Sequence, residues 1–483
     1  MTTRRYRLAV PGAEASGDLL EVYSPYSGEV LAEVEQAGPE AADRAVALQR
    51  QLLAEAGPLP PHQRIEVLRR AAGIMRARRL DLTRQIVVEG GKPIADAAVE
   101  VERAVNGVEL CAAQVGALAG EEVPMGLTAA STGRLAFTTR EPIGVVAAIS
   151  AFNHPLNLVV HQAGPAIAAG CPVIVKPAAT TPLSCLAFVD ILAQAGLPQG
   201  WCVALPCPNE VAERLATSAG IAFLSFIGSP AVGWSLRSKL APGVRCALEH
   251  GGAAPLIVDQ SADLDRAVPL ILKGGYYHAG QVCVSVQRVF AHRSVKAELV
   301  DRLVAGLGAL RTGDPMLPGT EVGPLITASA HERVSRWVTE AADAGARVAA
   351  GGHPLDHQCY EPTLLVDTPA DARAFRDEVF GPVVNIVGVD TLAEAVARAN
   401  AVPWAFQAAI VTRDIDRALW AARHLDATAV MVNDHTAFRV DWMPFGGRGA
   451  SGLGVGGIPG TTADMTRPKL VVFNMGDAGA ADR

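Results

Sequence analysis

Residues 171–206 read CPVIVKPAATTPLSCLAFVDILAQAGLPQGWCVALP, and this stretch decides the fold class. Two short apolar runs, 172–176 and 201–205, flank a helical pattern at 182–195, and such alternation is typical of a βαβ unit. It continues with a helix at 209–217 and a strand at 221–226. The sequence therefore predicts an α/β fold built around a parallel sheet.

A second alternation follows, with strands at 254–258 and 288–292 and helices at about 263–279 and 295–309. At 483 residues the chain is too long for one hydrophobic core, so we expect two α/β domains in series. Residues 127–142 alternate as a half-exposed strand or hairpin does, and 469–475 form a strand able to pair with it.

Composition excludes several classes of function. Half of the residues are hydrophobic and the formal charge is -7, without a long basic run, so nucleic acid and anionic membranes are not expected partners. The apolar region 144–175 is interrupted by polar residues, so we expect neither a membrane span nor a secretion signal. Eight cysteines without a CxxC pair predict no disulfide framework and no metal site, and they fit a reducing cytoplasm.

The segment HAGQVCVSVQR (278–288) places one cysteine just after a glycine at the end of a predicted helix. A chain that turns there can present Cys283 in a cleft, where a thiolate attacks carbonyl carbons well. The alternative is that Cys283 is a small buried hydrophobic residue, as most intracellular cysteines are.

Three further segments carry candidate chemistry. Glu249, in LEHGGAAP (248–255), can act as a base if burial raises its pKa, or it can be a solvated carboxylate at a strand end. Asn153, in ISAFNHPLNL (149–158), can donate to an oxyanion or serve a turn before proline. FIGSPAVG (226–233) can hold a pyrophosphate at a helix N-terminus, although it is neither GxGxxG nor a complete Walker A sequence, because Trp234 replaces the lysine.

Together these segments resemble the NAD(P)-dependent aldehyde dehydrogenase superfamily over nearly the whole chain. The resemblance consists of seven blocks in the family's order: EPIGVVAAISAFNHP (141–155), VIVKPA (173–178), FIGS (226–229), LEHGG (248–252), GQVC (280–283), EVFGP (378–382) and MPFGG (443–447). It implies that Cys283 is the nucleophile, Glu249 the general base and Asn153 an oxyanion donor together with the backbone amide of Cys283. The implied product is a carboxylic acid, released by water from a cysteine thioester.

The resemblance also implies an NAD or NADP site. Its residues are Lys176 for the adenosine ribose, Ala179 near it, Phe226 and Gly228 in the phosphate turn, Ser229 for the pyrophosphate, Glu378 for the nicotinamide ribose and Phe380 beside the ring. Members that prefer NAD often carry glutamate where Ala179 stands, so we expect NADP to be accepted, alongside NAD. The glutamate block departs from the family form LELGGK at His250 and Ala253.

The segments FNHPLNL, GQVCVSVQR and FRVDWMPFGG are most similar to the branch that oxidises lactaldehyde, glyceraldehyde 3-phosphate and phosphonoacetaldehyde. Arg439 then either meets an anionic substrate or pairs with Asp441 or another carboxylate. Members that handle phosphates carry an arginine where we align Glu109, which favours a neutral, hydroxylated or cationic small aldehyde. The predicted pocket residues are His154, Glu109, Val282, Ser285, His435, Phe438 and Arg439.

Three other functions stay open: an anionic-semialdehyde or phosphonoacetaldehyde dehydrogenase, a coenzyme A-acylating relative, and a binding or structural protein that has lost turnover.

The resemblance implies a Rossmann-like cofactor domain (1–119 and 143–249), an α/β catalytic domain (250–455) and a small β arm (120–142 and 456–483). Because such an arm joins subunits, we expect a homodimer or homotetramer.

Overall fold

Two largely parallel sheets, each flanked by helices, form the body of the protein, whose structure is a computed structural model that describes residues 4–475. Its strands are β1 (Arg4–Tyr6), β2 (Ala15–Tyr23), β3 (Val30–Ala37), β4 (Glu122–Val123), β5 (Arg134–Pro142), β6 (Val146–Ile149), β7 (Val173–Lys176), β8 (Cys202–Ala204), β9 (Phe223–Ile227), β10 (Arg245–Glu249), β11 (Ala254–Val258), β12 (Val286–His292), β13 (Arg347–Ala350), β14 (Thr363–Val366), β15 (Val383–Val389), β16 (Trp404–Ala405), β17 (Gln407–Val411), β18 (Ala429–Val432), β19 (Arg448–Gly449), β20 (Gly452–Leu453) and β21 (Thr466–Asn474).

The helices alternate with these strands through most of the chain. They are α1 (Pro39–Ala56), α2 (Pro61–Ala77), α3 (Arg79–Gly90), α4 (Ile94–Ala117), α5 (Asn157–Ala169), α6 (Pro182–Gln194), α7 (Asn209–Thr217), α8 (Pro230–Ser238), α9 (Leu264–Tyr276), α10 (Arg293–Leu307), α11 (Ala328–Asp343), α12 (Arg373–Arg376), α13 (Leu392–Ala399), α14 (Ile415–His424) and α15 (Ile458–Asp464). Short 3₁₀ turns occupy Ala129–Ser131 and Tyr277–Gly280.

The first sheet has the order β8-β7-β6-β9-β10, all parallel, with β20 antiparallel on the far side of β10. The chain therefore leaves β6 in one direction, through β7 and β8, and then returns to the other side of β6 with β9. Ligands of doubly wound sheets bind at the carboxyl ends of the strands where the order reverses, here between β6 and β9.

The second sheet has the order β13-β14-β15-β12-β11-β17-β18, and only β13 is antiparallel to its neighbour. Two smaller sheets flank the body: β1-β3-β2 near the N-terminus, and β21-β5-β4. In the latter, β5 and β21 pair antiparallel over nine residue pairs, and Phe137 stacks on Phe473. The predicted α/β class, the two alternations and the pairing of the C-terminal strand with residues 134–142 are confirmed.

The predicted helix at 263–279 ends early, at Tyr276. His278 and Ala279 have left-handed backbone angles, φ 49° and 55°, which a continuing α-helix does not allow. The chain consequently turns before it reaches Cys283.

The predicted domain limits need correction at two places. β20 (Gly452–Leu453), assigned to the catalytic domain, pairs with β10 of the first sheet. α15, assigned to the arm, packs against α4 and α5, and Ile458 belongs to the same buried cluster as Val101. The apolar face of α15 needs this core for burial, which favours a second arm segment that begins at Thr466. Residues 476–483 of the predicted arm lie outside the described residues.

A buried ion pair fixes the start of α5. The carboxylate of Glu100, on α4, contacts the ammonium group of Lys92, and both side chains are fully buried. Its other oxygen accepts hydrogen bonds from the backbone N–H groups of Leu156 (3.0 Å) and Asn157 (3.2 Å). The carboxylate thereby satisfies a buried cation and two unpaired helix N–H groups at once.

We predict that Glu100→Ala lowers the free energy of unfolding by about 3–5 kcal/mol, because it leaves the Lys92 charge buried without a partner. Urea unfolding followed by circular dichroism measures the change. The matched control is Glu102→Ala, an exposed glutamate on the same helix, for which we expect a change within about 0.5 kcal/mol. Equal midpoints for the two variants would contradict the structural role of Glu100.

Candidate active site

A cavity of about 690 Å³ opens where the carboxyl ends of the first sheet face the second domain. Its lining includes Lys176, Ser229 and Glu249, at the ends of first-sheet strands, and Cys283, which precedes β12 of the second sheet. Arg103 and Arg439 line both this cavity and an adjoining groove of about 390 Å³. We call the region where cavity and groove meet the arginine end.

The turn that carries Cys283 is anchored by Gln281, which is fully buried. The amide of Gln281 donates to the carbonyls of His278 (3.3 Å) and Pro324 (3.2 Å) and accepts from the backbone N–H of Ile326 (2.9 Å). Within residues 4–475 the backbone N–H of Cys283 donates to no other residue, and it interacts with the thiol of Cys283 itself. The thiol is thus held on a fixed backbone beside an N–H group that no other described residue occupies.

Asn153 follows β6 and lies in the same cavity. Its side-chain nitrogen donates to the carbonyl of Gln281 at 2.9 Å, two residues before the cysteine. This hydrogen bond joins the carboxyl end of the first sheet to the thiol turn. An amide nitrogen carries two hydrogens, so one remains for a ligand.

Glu249 is the last residue of β10, and its carboxyl group lies against Gly456, where a Cβ atom would come within 2.5 Å of Oε1. Burial raises the pKa of Glu249, while the positive charge of Arg439 acts in the opposite direction. A raised pKa brings a carboxyl group towards the range in which it exchanges protons at neutral pH.

Burial also raises the pKa of the Cys283 thiol to about 12, with additional contributions from the nearby carboxylates of Glu378 and Glu249. The charge of Arg439 again lowers it. Burial therefore favours the neutral thiol over the thiolate, and the charge of Arg439 is the nearby influence that favours the thiolate.

The cofactor end of the cavity holds an unpaired cation. The Lys176 side chain is buried, and no hydrogen bond or ion pair of its ammonium group occurs within residues 4–475. Burial lowers its pKa. Ala179 lines the cavity nearby with only a methyl group. A buried cation next to open space fits the polar ribose or phosphate of a dinucleotide, because either supplies the missing partner.

The phosphate turn lies at the start of α8, which Ser229 precedes as the N-cap residue. Phe226, Gly228 and Ser229 all line the cavity. The ring of His250 lies under this turn: its Nδ1 hydrogen-bonds the carbonyl of Gly228 at 2.9 Å, and a Cβ on Gly233 would come within 2.1 Å of its ring. The departure from leucine at His250 therefore supports the phosphate turn.

Glu378 and Phe380 complete the cofactor end. Burial raises the pKa of Glu378 to about 8, and its Oε1 accepts from the backbone N–H of Gly252 at 3.3 Å. A Cβ on Gly251 would come within 1.6 Å of the same oxygen. Phe380 packs edge-to-face on Phe152, with ring centres 5.7 Å apart.

A network of polar side chains builds the arginine end. Asp441 accepts from Arg103, with Nη2–Oδ1 and Nε–Oδ2 distances of 2.6 and 3.3 Å, and from His161 at 2.8 Å. Arg439 donates from Nη2 to the second ring nitrogen of His161 at 3.1 Å, and its guanidinium lies 3.5 Å from the ring centre of Phe445. Asp441 thus contacts Arg103 directly and reaches Arg439 through His161.

Most of the predicted pocket residues lie around the cavity: His154, Val282, His435, Phe438 and Arg439. His154 is buried, and burial together with nearby cations lowers its pKa well below the usual range. The phenol group of Tyr277 hydrogen-bonds its Nε2 at 3.3 Å.

Glu109 and Ser285 lie elsewhere, so these two predictions were wrong. Glu109 is exposed on α4 and pairs with Arg76. Asp96, Val99 and Arg103 form the face of α4 that lines the cavity, and a residue six positions beyond Arg103 lies on another face, about 9 Å further along the axis. The hydroxyl of Ser285 donates to the carbonyls of Gly274 and Gly275, both at 3.2 Å.

The sequence prediction missed Arg103, His161 and Gln281 as residues of the site. A helical face of Asp96, Val99 and Arg103, at i, i+3 and i+7, was the available signal for Arg103. Also missed was the pair of Lys273 and Asp96 at 2.8 Å, which lines the same cavity.

Two further findings bear on the class of site. Within the described part of the chain, no group of three or more His, Cys, Asp or Glu side chains is placed to hold a metal ion. No helix between residues 4 and 475 has both the length and the apolar character required to cross a bilayer.

Comparison with known proteins gives a family and several relatives. The model of the aldehyde dehydrogenase family matches residues 13–471. The 3-sulfolactaldehyde dehydrogenase of Priestia aryabhattai is 37% identical over 475 residues, which cover 98% of each chain. Aldehyde dehydrogenase 21 of Physcomitrella patens, solved with its product succinate, superposes with a TM-score of 0.95 at 33% identity, covering 99% of this chain and 100% of that one.

A further solved structure carries a cofactor. Glyceraldehyde-3-phosphate dehydrogenase GapN of Methanocaldococcus jannaschii, complexed with NADP, superposes with a TM-score of 0.90 at 33% identity, covering 94% of this chain and 99% of that one. Because the family match extends over almost the entire chain and the fold and cavity agree with it, the protein belongs to the aldehyde dehydrogenase family and is an NAD(P)-dependent enzyme that oxidises aldehydes.

Proposed function

We propose that the enzyme oxidises small anionic aldehydes to carboxylic acids through a thioester on Cys283, with NADP accepted as well as NAD. The observation that carries the choice of substrate is the guanidinium of Arg439. Its Nε is buried and has no partner among the described residues, and its only hydrogen bond goes to the neutral ring of His161. A half-buried cation whose hydrogen-bond partner is uncharged is matched well by an anionic group of the substrate.

The nucleophile is Cys283. Its thiolate adds to the aldehyde carbon, and the new oxyanion accepts from the side-chain N–H of Asn153 and the backbone N–H of Cys283. The fixed Asn153–Gln281 hydrogen bond at 2.9 Å supports this role, because it holds the amide close to the thiol turn before substrate arrives. NAD(P)⁺, when bound, supplies the hydride acceptor, and the carbon is left as a thioester of Cys283.

The general base is Glu249. It removes a proton from water, the hydroxide attacks the thioester carbon, and the C–S bond breaks to return Cys283 and release the acid. One aldehyde, one water and one NAD(P)⁺ give one carboxylic acid, one NAD(P)H and one proton. A base in this position favours water over coenzyme A as the acyl acceptor, so the acylating alternative is the weaker one. The three groups lining one cavity argue against an inactive binding protein.

The preference for a neutral substrate rested on Glu109 and on the uncharged Val282 before the nucleophile. Val282 lines the cavity, but Glu109 pairs with Arg76 outside it. The arginine end instead presents Arg103 and Arg439, which favours the anionic-semialdehyde alternative. Two relatives have names that fit it: 3-sulfolactaldehyde dehydrogenase, and aspartate-semialdehyde dehydrogenase 1 of Pseudomonas canavaninivorans at 35% identity.

Cofactor choice follows from Lys176 and Ala179. The unpaired ammonium group attracts a 2′-phosphate, and the methyl group leaves room for one without repulsion.

We also propose assembly through the β4–β5–β21 arm, because β21 is an edge strand whose outer side pairs with no other described strand. A reducing cytoplasm fits the eight unpaired cysteines.

The central prediction concerns the thiol and the base. We expect Cys283→Ala to lower kcat/KM for succinic semialdehyde at least about 10³-fold, because no nucleophile remains. For Glu249→Gln we expect a burst of about one equivalent of NAD(P)H per site, followed by turnover slowed about 10²–10⁴-fold. Stopped-flow absorbance at 340 nm measures both, and mass spectrometry detects the acyl group on the protein. Full activity of Cys283→Ala would exclude the mechanism.

A second prediction concerns the cofactor. Ala179→Glu places a carboxylate where a 2′-phosphate would lie, so KM for NADP should rise at least about tenfold while KM for NAD changes little. Ala179→Gln, of similar size and without charge, is the matched control and should leave the ratio of the two KM values within about threefold. Equal effects of both substitutions would attribute the change to size and not to charge.

A third prediction concerns the anion. Arg439→Gln should lower the ratio of kcat/KM for succinic semialdehyde to that for butanal at least about tenfold, because only the former carries a carboxylate. A ratio is used since Arg439 also lowers the pKa of Cys283, and that effect acts on both aldehydes. The control is Arg423→Gln on the exposed end of α14. An unchanged ratio would remove Arg439 from substrate binding.

A further inference from the structure

The arginine end contains unequal numbers of cations and anions. Arg103 and Arg439 are two cations, and within residues 4–475 the carboxylate that pairs with Arg103 is that of Asp441. The pKa of Asp441 is held well below its usual range because the hydrogen bonds from His161 and Arg103 and the charge of Arg103 outweigh its burial. Lys273 and Asp96 form their own ion pair at 2.8 Å and cancel each other. Two positive charges therefore face one negative charge.

The histidines of this region add no charge. Arginine has no acceptor, so the His161 ring nitrogen that receives Arg439 must be unprotonated, and the other one donates its hydrogen to Asp441. Burial and Arg439 lower the pKa of His161 to about 4, in agreement with this assignment. Two further carboxyl groups lie near. Glu102 lines the adjoining groove but is exposed, so water screens its charge, and Glu249 is used by the mechanism at the thiol. Arg103, Arg439 and Asp441 together therefore have a net charge of plus one.

The network also determines which donors remain for a ligand. Asp441 occupies Nε and one hydrogen of Nη2 of Arg103, and His161 occupies one hydrogen of Nη2 of Arg439. Nη1 and the second Nη2 hydrogen of each guanidinium remain, together with Nε of Arg439. These donors can satisfy two or three oxygen atoms of a planar or tetrahedral anion.

We infer that the enzyme is selective for aldehydes whose anionic group carries a single negative charge, a carboxylate or a sulfonate, and that Asp441 is the positioning residue that sets this selectivity. The inference rests on the proposed anionic substrate and specifies its charge. A monoanion brings the arginine end to neutrality. A dianion, such as a phosphonate, brings an excess negative charge into a partly desolvated region that already holds Asp441, which is unfavourable.

Asp441 acts through the two arginines and does not touch the substrate in this proposal. It neutralises Arg103 by direct contact, and through His161 it orients Arg439. Removing its charge while keeping its hydrogen-bonding shape leaves two uncompensated cations. The Asp441→Asn variant should therefore accept a dianion more readily than the natural enzyme does.

The test uses a matched pair of aldehydes. Sulfoacetaldehyde and phosphonoacetaldehyde have the same length and a tetrahedral anionic group, but at pH 8.5 the first is a monoanion and the second largely a dianion. We expect the natural enzyme to have a kcat/KM for sulfoacetaldehyde at least about tenfold above that for phosphonoacetaldehyde. In Asp441→Asn this ratio should fall at least about tenfold.

Two controls separate charge selectivity from damage to the fold. Turnover of butanal by Asp441→Asn shows that the variant is folded and its thiol active, since butanal needs no anion site. Glu102→Gln removes a carboxylate from the exposed rim of the adjoining groove, where water screens it, and should change the ratio less than about twofold.

The possible outcomes are distinct. Preference of the natural enzyme for phosphonoacetaldehyde, or equal use of both aldehydes, overturns the inference and leaves the anionic-substrate proposal in place. An unchanged ratio in Asp441→Asn likewise overturns the role of Asp441. Oxidation of butanal but of neither anion overturns the proposed substrate class, and the inference with it. The ratio of the natural enzyme decides the first point even if Asp441→Asn does not fold.

Discussion

The hydrogen bond from the Asn153 amide to the carbonyl of Gln281 is the contact on which the site depends. Asn153 lies four residues after the end of β6 in the first sheet, whereas Gln281 precedes the cysteine and is anchored to the segment around Pro324 and Ile326. The side-chain oxyanion donor comes from the first sheet, whereas the candidate nucleophile precedes a strand of the second. The cavity has its chemistry only because this contact aligns the end of β6 with the thiol turn.

The charge arrangement of the cavity follows from its position between two domains. Unpaired or partly paired cations, Lys176 and Arg439, occur where anionic parts of ligands are proposed to bind. The carboxyl groups of Glu249 and Glu378 both have raised pKa values because they are buried. A site of this kind is electrostatically incomplete without its ligands, and that incompleteness is a physical signature of function.

Much of this organisation could be predicted from the sequence. Cys283, Asn153, Glu249 and Ser229 each follow or precede a strand or a helix with a clear apolar pattern, so local sequence places them at element ends. Arg103 could not be located in the same way. Positions six residues apart on α4 lie on different faces, so Arg103 lines the cavity whereas Glu109 is exposed. Local pattern fixes which face is apolar but not which polar residue of a long helix meets a distant loop.

The network of Asp441 and His161 was beyond prediction for a related reason. The two residues are 280 positions apart, and their contact depends on the packing of the C-terminal loop on α5. The boundary near 456 was misplaced because the apolar face of α15 matches a core formed some 300 residues earlier. Contacts between distant segments follow from the assembled fold and not from spacing.

The turn before the cysteine also limits how the protein can change over time. His278 and Ala279 both have left-handed backbone angles, and such conformations cost residues other than glycine roughly 1–2 kcal/mol each. The fold tolerates this strain because the surrounding packing and the Gln281 anchor hold the turn in place. The strained turn lowers the free energy of unfolding, so fewer destabilising substitutions elsewhere are tolerated. This limits which changes of substrate specificity can evolve.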